Sequence, residues 1–173
     1  MLRCVIPLLL SCAACGVAPQ PESDRAVAAF EVPLSSAIDR ANFIATLQNS
    51  AKAYGYHVDA ATPEELRTLS EVSPISLNAT VWRGNDEEVV ASAMDVSDHL
   101  GRVWISFFKG QDSRRFGAFR QTLMAEIIKR WPRTASLPIM PSGAIPLSRD
   151  LVLTPTGYQV KPSALPTYQA QPR

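Results

Sequence analysis

The chain predicts an α+β fold: a two-layer domain with a mainly antiparallel sheet, two main helices on one face of it, and a Pro-rich C-terminal extension. Three observations carry this expectation. Two segments repeat apolar residues at helical spacing behind capping signals. Three successive segments alternate apolar and polar residues across short turns, and eight of the fourteen prolines fall after Trp131. Short turns favour antiparallel neighbours, because parallel strands need a long crossover, and helices that bury one stripe against one sheet face form two layers.

The elements follow in order. Val27 to Val32 is an apolar run ended by Pro33 and reads as a strand. Ser35 or Ser36 then caps a helix, with Asp39 in capping-box spacing from Ser36. Ile44, Leu47, Ala51 and Tyr54 recur at helical spacing, and Gly55 marks the stop. Tyr56 to Asp59 reads as a short strand. Thr62-Pro63-Glu64-Glu65 opens a brief helix with a capping Thr, a first-turn Pro and a third-position Glu. Ser76 to Trp82 alternates with Leu77, Ala79 and Val81 on one face, Gly84-Asn85-Asp86 is a turn, and Glu88 to Met94 is the next strand. Asp95 to Gly101 is expected to be a loop, and Arg102 to Lys109 a strand with Val103, Ile105 and Phe107 on one side. The last long helix starts at Asp112 or Ser113, carries Phe116, Phe119, Leu123, Ile127 and Trp131 as its apolar stripe, and stops at Pro132.

Beyond Pro132 the prolines exclude a long helix or central strands. Leu137, Ile139, Met140, Ile145 and Leu147 are nonetheless too apolar for a solvated tail. Leu151-Val152-Leu153 and Tyr158-Gln159-Val160 flank Thr154-Pro155-Thr156-Gly157, a turn with Pro second and Gly fourth, which predicts a hairpin at 150–160. Residues after Lys161 are expected to be loose. The organisation is therefore 1–14 leader, 15–25 tether, 26–132 α+β domain and 133–173 extension.

The leader has its own chemistry. Arg3 precedes a short apolar run, Val5 to Leu10, and small residues follow, which is the layout of a secretory signal. The run is far below the ~20 residues that span a bilayer. Ala13-Ala14-Cys15-Gly16 resembles the lipobox of bacterial lipoproteins, with Cys12 where that family has Leu; Leu9-Leu10-Ser11-Cys12 is a second reading with a very short signal. The resemblance covers about the first sixteen residues. It implies diacylglycerol on Cys15 (alternatively Cys12), a membrane partner through that lipid, and an address in the cell envelope. Gly16 after the cysteine, rather than Asp, favours the outer membrane facing the periplasm in a Gram-negative host. Two or more acyl chains anchor a protein stably where one does not.

All three cysteines lie in this leader segment, so the mature domain has none for a disulfide, a thiol nucleophile or a Cys-ligated metal. Of 17 Lys+Arg against 16 Asp+Glu, one is Arg3, so the mature charge is near zero and nucleic acid is not an expected partner.

Alternation along the strands places Trp82, Trp104 and Phe108 on the sheet face away from the helices. Three large aromatics in water would be unusual. They are expected to be covered by the chain's own Leu137–Val160 segment, by a partner protein, or by an apolar ligand. Lys109, Arg114 and Arg115 gather at the start of the last helix, where free N–H groups suit an anion. Asp95, Asp98 and His99 could meet a metal, but polar residues in such a loop normally stay solvated, and no metal or cofactor is expected. No nucleophile-elbow or zinc-protease motif accompanies His57 or His99, Ser142 reads as a turn residue, and Glu87 and Glu88 suit edge protection, so no catalytic residue is assigned. The functional expectation is a non-enzymatic, membrane-anchored envelope lipoprotein acting as an interaction or assembly module with an envelope protein partner. The alternatives are a periplasmic binding module for a small anionic or apolar ligand, and an envelope hydrolase.

Overall fold

A computed structural model of the chain describes residues 25–84, 88–96 and 99–169, apart from the side chains of residues 99 and 169. Cys12 and Cys15, the turn residues Asn85 and Asp86, Glu87 and Asp98 lie outside the described residues, as does the side chain of His99. The fold is α+β. Strand β1 (Ala26–Pro33) leads into α1 (Ala37–Ala53), β2 (His57–Ala60), α2 (Pro63–Ser70), β3 (Asn78–Arg83), β4 (Glu88–Val96), β5 (His99–Phe108) and α3 (Ser113–Arg130). The extension adds β6 (Ala135–Ser136), β7 (Leu151–Thr154), β8 (Gly157–Val160) and a short α4 (Leu165–Gln169).

Both capping boxes form. Ser36 Oγ accepts from the Asp39 amide at 3.0 Å while the Asp39 carboxylate accepts from the Ser36 amide at 3.2 Å. Thr62 and Glu65 do the same at the head of α2. These exchanges satisfy donors that a helix start leaves free. Asp112 caps α3, its Oδ1 accepting from the Arg115 amide at 3.0 Å.

The six-stranded sheet runs β2-β3-β4-β5-β1-β6, antiparallel throughout. β1 is thus inserted between β5 and β6, far from its sequence neighbours. Register fixes the two faces, since opposed residues point the same way. One row reads Val58, Val81, Ala91, Phe107 and Ala28; it faces α1 and α3 and joins Phe43, Leu47, Phe119, Leu123 and Ile127 in one core. The two helices meet through Phe43 on Trp131 (ring centroids 5.8 Å) and Tyr54 on Phe119 (6.2 Å). Aromatic pairs of this edge-on geometry add to the burial itself.

Two expectations need correction. Most of Asp95 to Gly101 is strand rather than loop: β4 continues to Val96 and β5 begins at His99, with 97–98 outside the described residues. The reason is that Asp95 is satisfied inside the protein and so needs no water. Its carboxyl accepts from the amides of Ser76 (2.6 Å), Leu77 (2.6 Å) and Gly101 (3.0 Å), and from Ser76 Oγ. Residues 162–169 are not loose either, because Tyr168 on α4 donates to Asp150 at 2.6 Å and accepts from the Leu147 amide at 3.0 Å, while 170–173 lie outside the described residues.

The β7–β8 hairpin closes on Thr154 opposite Gly157. Gly157 has φ +116°, and a Cβ there would overlap Ser136 Oγ and come within 3.0 Å of the Ser136 carbonyl. Only glycine combines that backbone angle with that approach. Gly157→Ala is therefore expected to destabilise the extension by about 1–3 kcal/mol, read by denaturant unfolding and by faster hydrogen exchange across β6 and β8. Unchanged stability would show that the hairpin does not depend on this approach.

Candidate interaction face

The sheet face away from α1 and α3 carries two register rows. The first is Asp59, Thr80, Ser92, Ser106 and Ala29; the second is Asn78, Met94, Trp104, Glu31 and Ala135. His57, Trp82 and Val89 are aligned beyond them. The extension covers one half of this face. Trp104 and Ala29 pack with Leu137, Leu151, Ile145 and Tyr158, a second apolar cluster separate from the main core.

A polar group fastens this cover. Glu31 is only 8% exposed, and its carboxylate accepts from Arg102 Nε (3.0 Å) and Nη2 (2.6 Å), Trp104 Nε1 (2.9 Å) and Tyr158 Oη (2.7 Å). Burial alone would raise the Glu31 pKa. The bonds from Arg102, Trp104 and Tyr158 outweigh it and hold the carboxyl below its ordinary value. Burial and the bond to Glu31 push Tyr158 up, so it remains a donor. Sequence reading did not single out Glu31. The available signal was a lone carboxylate in an apolar strand, with Arg102 and Trp104 two apart on another.

The other half has no cover among the described residues. Trp82 is half-buried, with the His57 ring 4.9 Å from it between centroids, while Val89 and Met94 are 40% and 48% exposed. Trp82 and Trp104 therefore do not form one patch: β4 lies between their strands, and among the described residues the extension packs on Trp104 and not on Trp82. Phe108 ends β5 opposite Ala26, half-buried.

Two hollows open along β2 on this uncovered side. One, of about 420 Å³, lies against α2 and is lined by Asp59, Glu64, Glu65, Leu69, Asn78 and Thr80. The other, of about 530 Å³, shares Asp59 and Thr80 and adds His57, Trp82 and Val89. Neither lining includes a lysine or arginine. The Glu65 carboxyl is held below its ordinary value by the Thr62 amide and hydroxyl. Arg67 stands 3.5 Å from Glu64, but both are exposed and water screens the pair.

The remaining sequence candidates are dispersed. Arg115 Nε sits 3.3 Å from Asp112 and Arg114 is exposed. Lys109 lines a cavity with Arg25, Met140 and Pro141 that includes neither Arg114 nor Arg115. The capping Asp112 already accepts from the Arg115 amide at the helix start. Asp95 is committed to backbone amides, and among the described residues no group of three His, Cys, Asp or Glu could hold a metal. Glu88 accepts from the Gln111 amide on an interior strand, so it does not protect an edge. Ser142 lies in a turn, accepting from the Ala144 amide at 3.4 Å. His57 makes no hydrogen bond to a carboxylate among the described residues, and no helix there is long and apolar enough to cross a membrane. The chain matches no family model and no curated protein.

Proposed function

We propose that this chain is a membrane-anchored envelope lipoprotein whose α+β domain is a protein-interaction module working through the uncovered, Trp82-bearing half of the sheet. The observation that carries this reading is the division of one sheet face. The chain's own extension shelters Trp104, yet among the described residues nothing covers Trp82, Val89 and Met94 on the same face. Half-buried aromatics beside exposed apolar side chains are the composition of an interface centre. The lipobox-like Ala13-Ala14-Cys15-Gly16 supports the membrane address, with residues 16–25 as the tether.

An aromatic photoreactive residue in place of Trp82, in cells that natively produce the chain, is expected to crosslink to another envelope protein. The same residue at position 104 should crosslink only to the chain's own 137–160 segment. Cys15→Ala should abolish palmitate labelling and reduce the Trp82 crosslink by releasing the domain from the membrane. A position-82 probe that captures no other protein would overturn the interaction reading, labelling that survives Cys15→Ala would move the anchor to another residue such as Cys12, and no labelling of the unaltered chain would remove it.

A further inference from the structure

We propose that β2 is an acceptor edge: a partner's extended segment, with Lys or Arg at alternate positions, adds to the sheet beside β2 and directs its basic side chains into the acidic hollows around Trp82. This rests on the interaction reading above and specifies the partner's chemistry.

The two ends of the sheet differ. At one end β6 is two residues long and is abutted by the hairpin, Ser136 Oγ donating to the Thr156 carbonyl at 3.3 Å. At the other end β2 has four residues, none of them Lys or Pro, the residues that commonly blunt an edge. The Ala61 amide donates to the Asn78 carbonyl at 2.9 Å, so bonded rungs fall at alternate residues, 61, 59 and 57. The N–H and C=O groups of Val58 and Ala60 then point away from β3. Among the described residues no hydrogen bond takes them up.

Hollows flank this edge on both sides. The outer ones carry Asp59, Glu64, Glu65 and Trp82. An inner one, of about 410 Å³, is lined by Gln48, Lys52, Gly55, Tyr56 and Val58. Side chains of an added strand alternate between faces, so every second one would enter the acidic side and the others the inner hollow. Three carboxylates with no lysine or arginine in the lining select a cationic side chain there, and the Trp82 ring offers such a group a favourable face. An acidic or neutral segment gains none of this.

The test uses the full-length chain with two blocked octapeptides, one alternating arginine and valine, the other glutamate and valine. The arginine peptide should bind and slow hydrogen exchange at the Val58 and Ala60 amides; the glutamate peptide should not. Ala60→Pro removes one outward N–H while leaving the bonds to β3, a position where edge strands tolerate proline. It should weaken binding about fivefold, the loss of one hydrogen bond. The exposed pair Asp59→Lys/Glu64→Lys should weaken it about tenfold or more by charge reversal, and this variant decides the matter if Ala60→Pro fails to fold. Unchanged exchange at Val58 and Ala60, or equal binding of the glutamate peptide, would overturn the inference. In cells, a position-82 crosslink that persists undiminished in both variants would leave the interaction reading standing and remove strand addition. No crosslink from the otherwise unaltered chain would remove both.

Discussion

Replacing Asp95 by alanine is expected to destabilise the domain by about 3–5 kcal/mol, the largest effect of any single polar substitution argued from this structure. Three backbone amides, of Ser76, Leu77 and Gly101, would lose their acceptor, and the side chain that serves them is only 6% exposed. Each stranded donor costs its desolvation without return. Asp95→Asn keeps one oxygen but turns an amide donor toward a donor, so it should recover about half of the loss. Urea unfolding of both variants checks the ordering. A destabilisation within about 1 kcal/mol for alanine would mean that water reaches those amides as readily as Asp95 does.

Glu31→Gln should cost about 2–4 kcal/mol. The substitution keeps the shape but removes the charge that Arg102 faces, and it offers donors where Trp104 and Tyr158 also donate. The lower part of the range reflects Arg102, which retains partial access to water. The loss should concentrate in the extension, appearing as protease cleavage within 137–160 and faster exchange in β8 before global unfolding. The pH dependence has a definite sign. Glu31 is held below its ordinary 4.5, so its contribution is complete above that pH and is lost as the pH falls through the lowered folded value. Acid should therefore loosen the wild-type extension while leaving the Glu31→Gln variant, already loosened, with a flatter profile. Parallel acid profiles for the two would contradict this assignment.

Much of the architecture was legible in the residues. Ser36 with Asp39 and Thr62 with Glu65 announced two helix starts, and the Phe116 to Trp131 stripe announced the face that α3 buries. Local hydrogen bonding and period arguments suffice there, because partners lie within a turn of each other. Asp95 misled, since a carboxyl among polar neighbours reads as solvated unless the amides that satisfy it, 18 and 19 residues upstream, are known. Alternation assigned Trp82 and Trp104 to one face. It could not say that β4 separates their strands, or that the extension stops short of Trp82. Pairing of β1 with β6 rests on two residues and carries no periodic signal at all. The candidate edge was invisible for the same reason: which strand is outermost is a property of sheet order, and order is non-local.

The placement of β1 between β5 and β6 has a consequence for how the chain must mature. β1 is delivered well before either of its sheet partners, β5 and β6. Glu31 meets Trp104 across 73 positions and Tyr158 across 127. Closure of such distant loops is slow relative to local structure. β3, β4 and β5, neighbours both in sequence and in the sheet, can collapse early, yet the sheet stays unfinished until β6 has been delivered. A chain cut short before Ala135 would leave one edge of the apolar β1 open to whatever neighbour can accept it, whereas one cut before Tyr158 keeps β1 paired and loses a donor to Glu31.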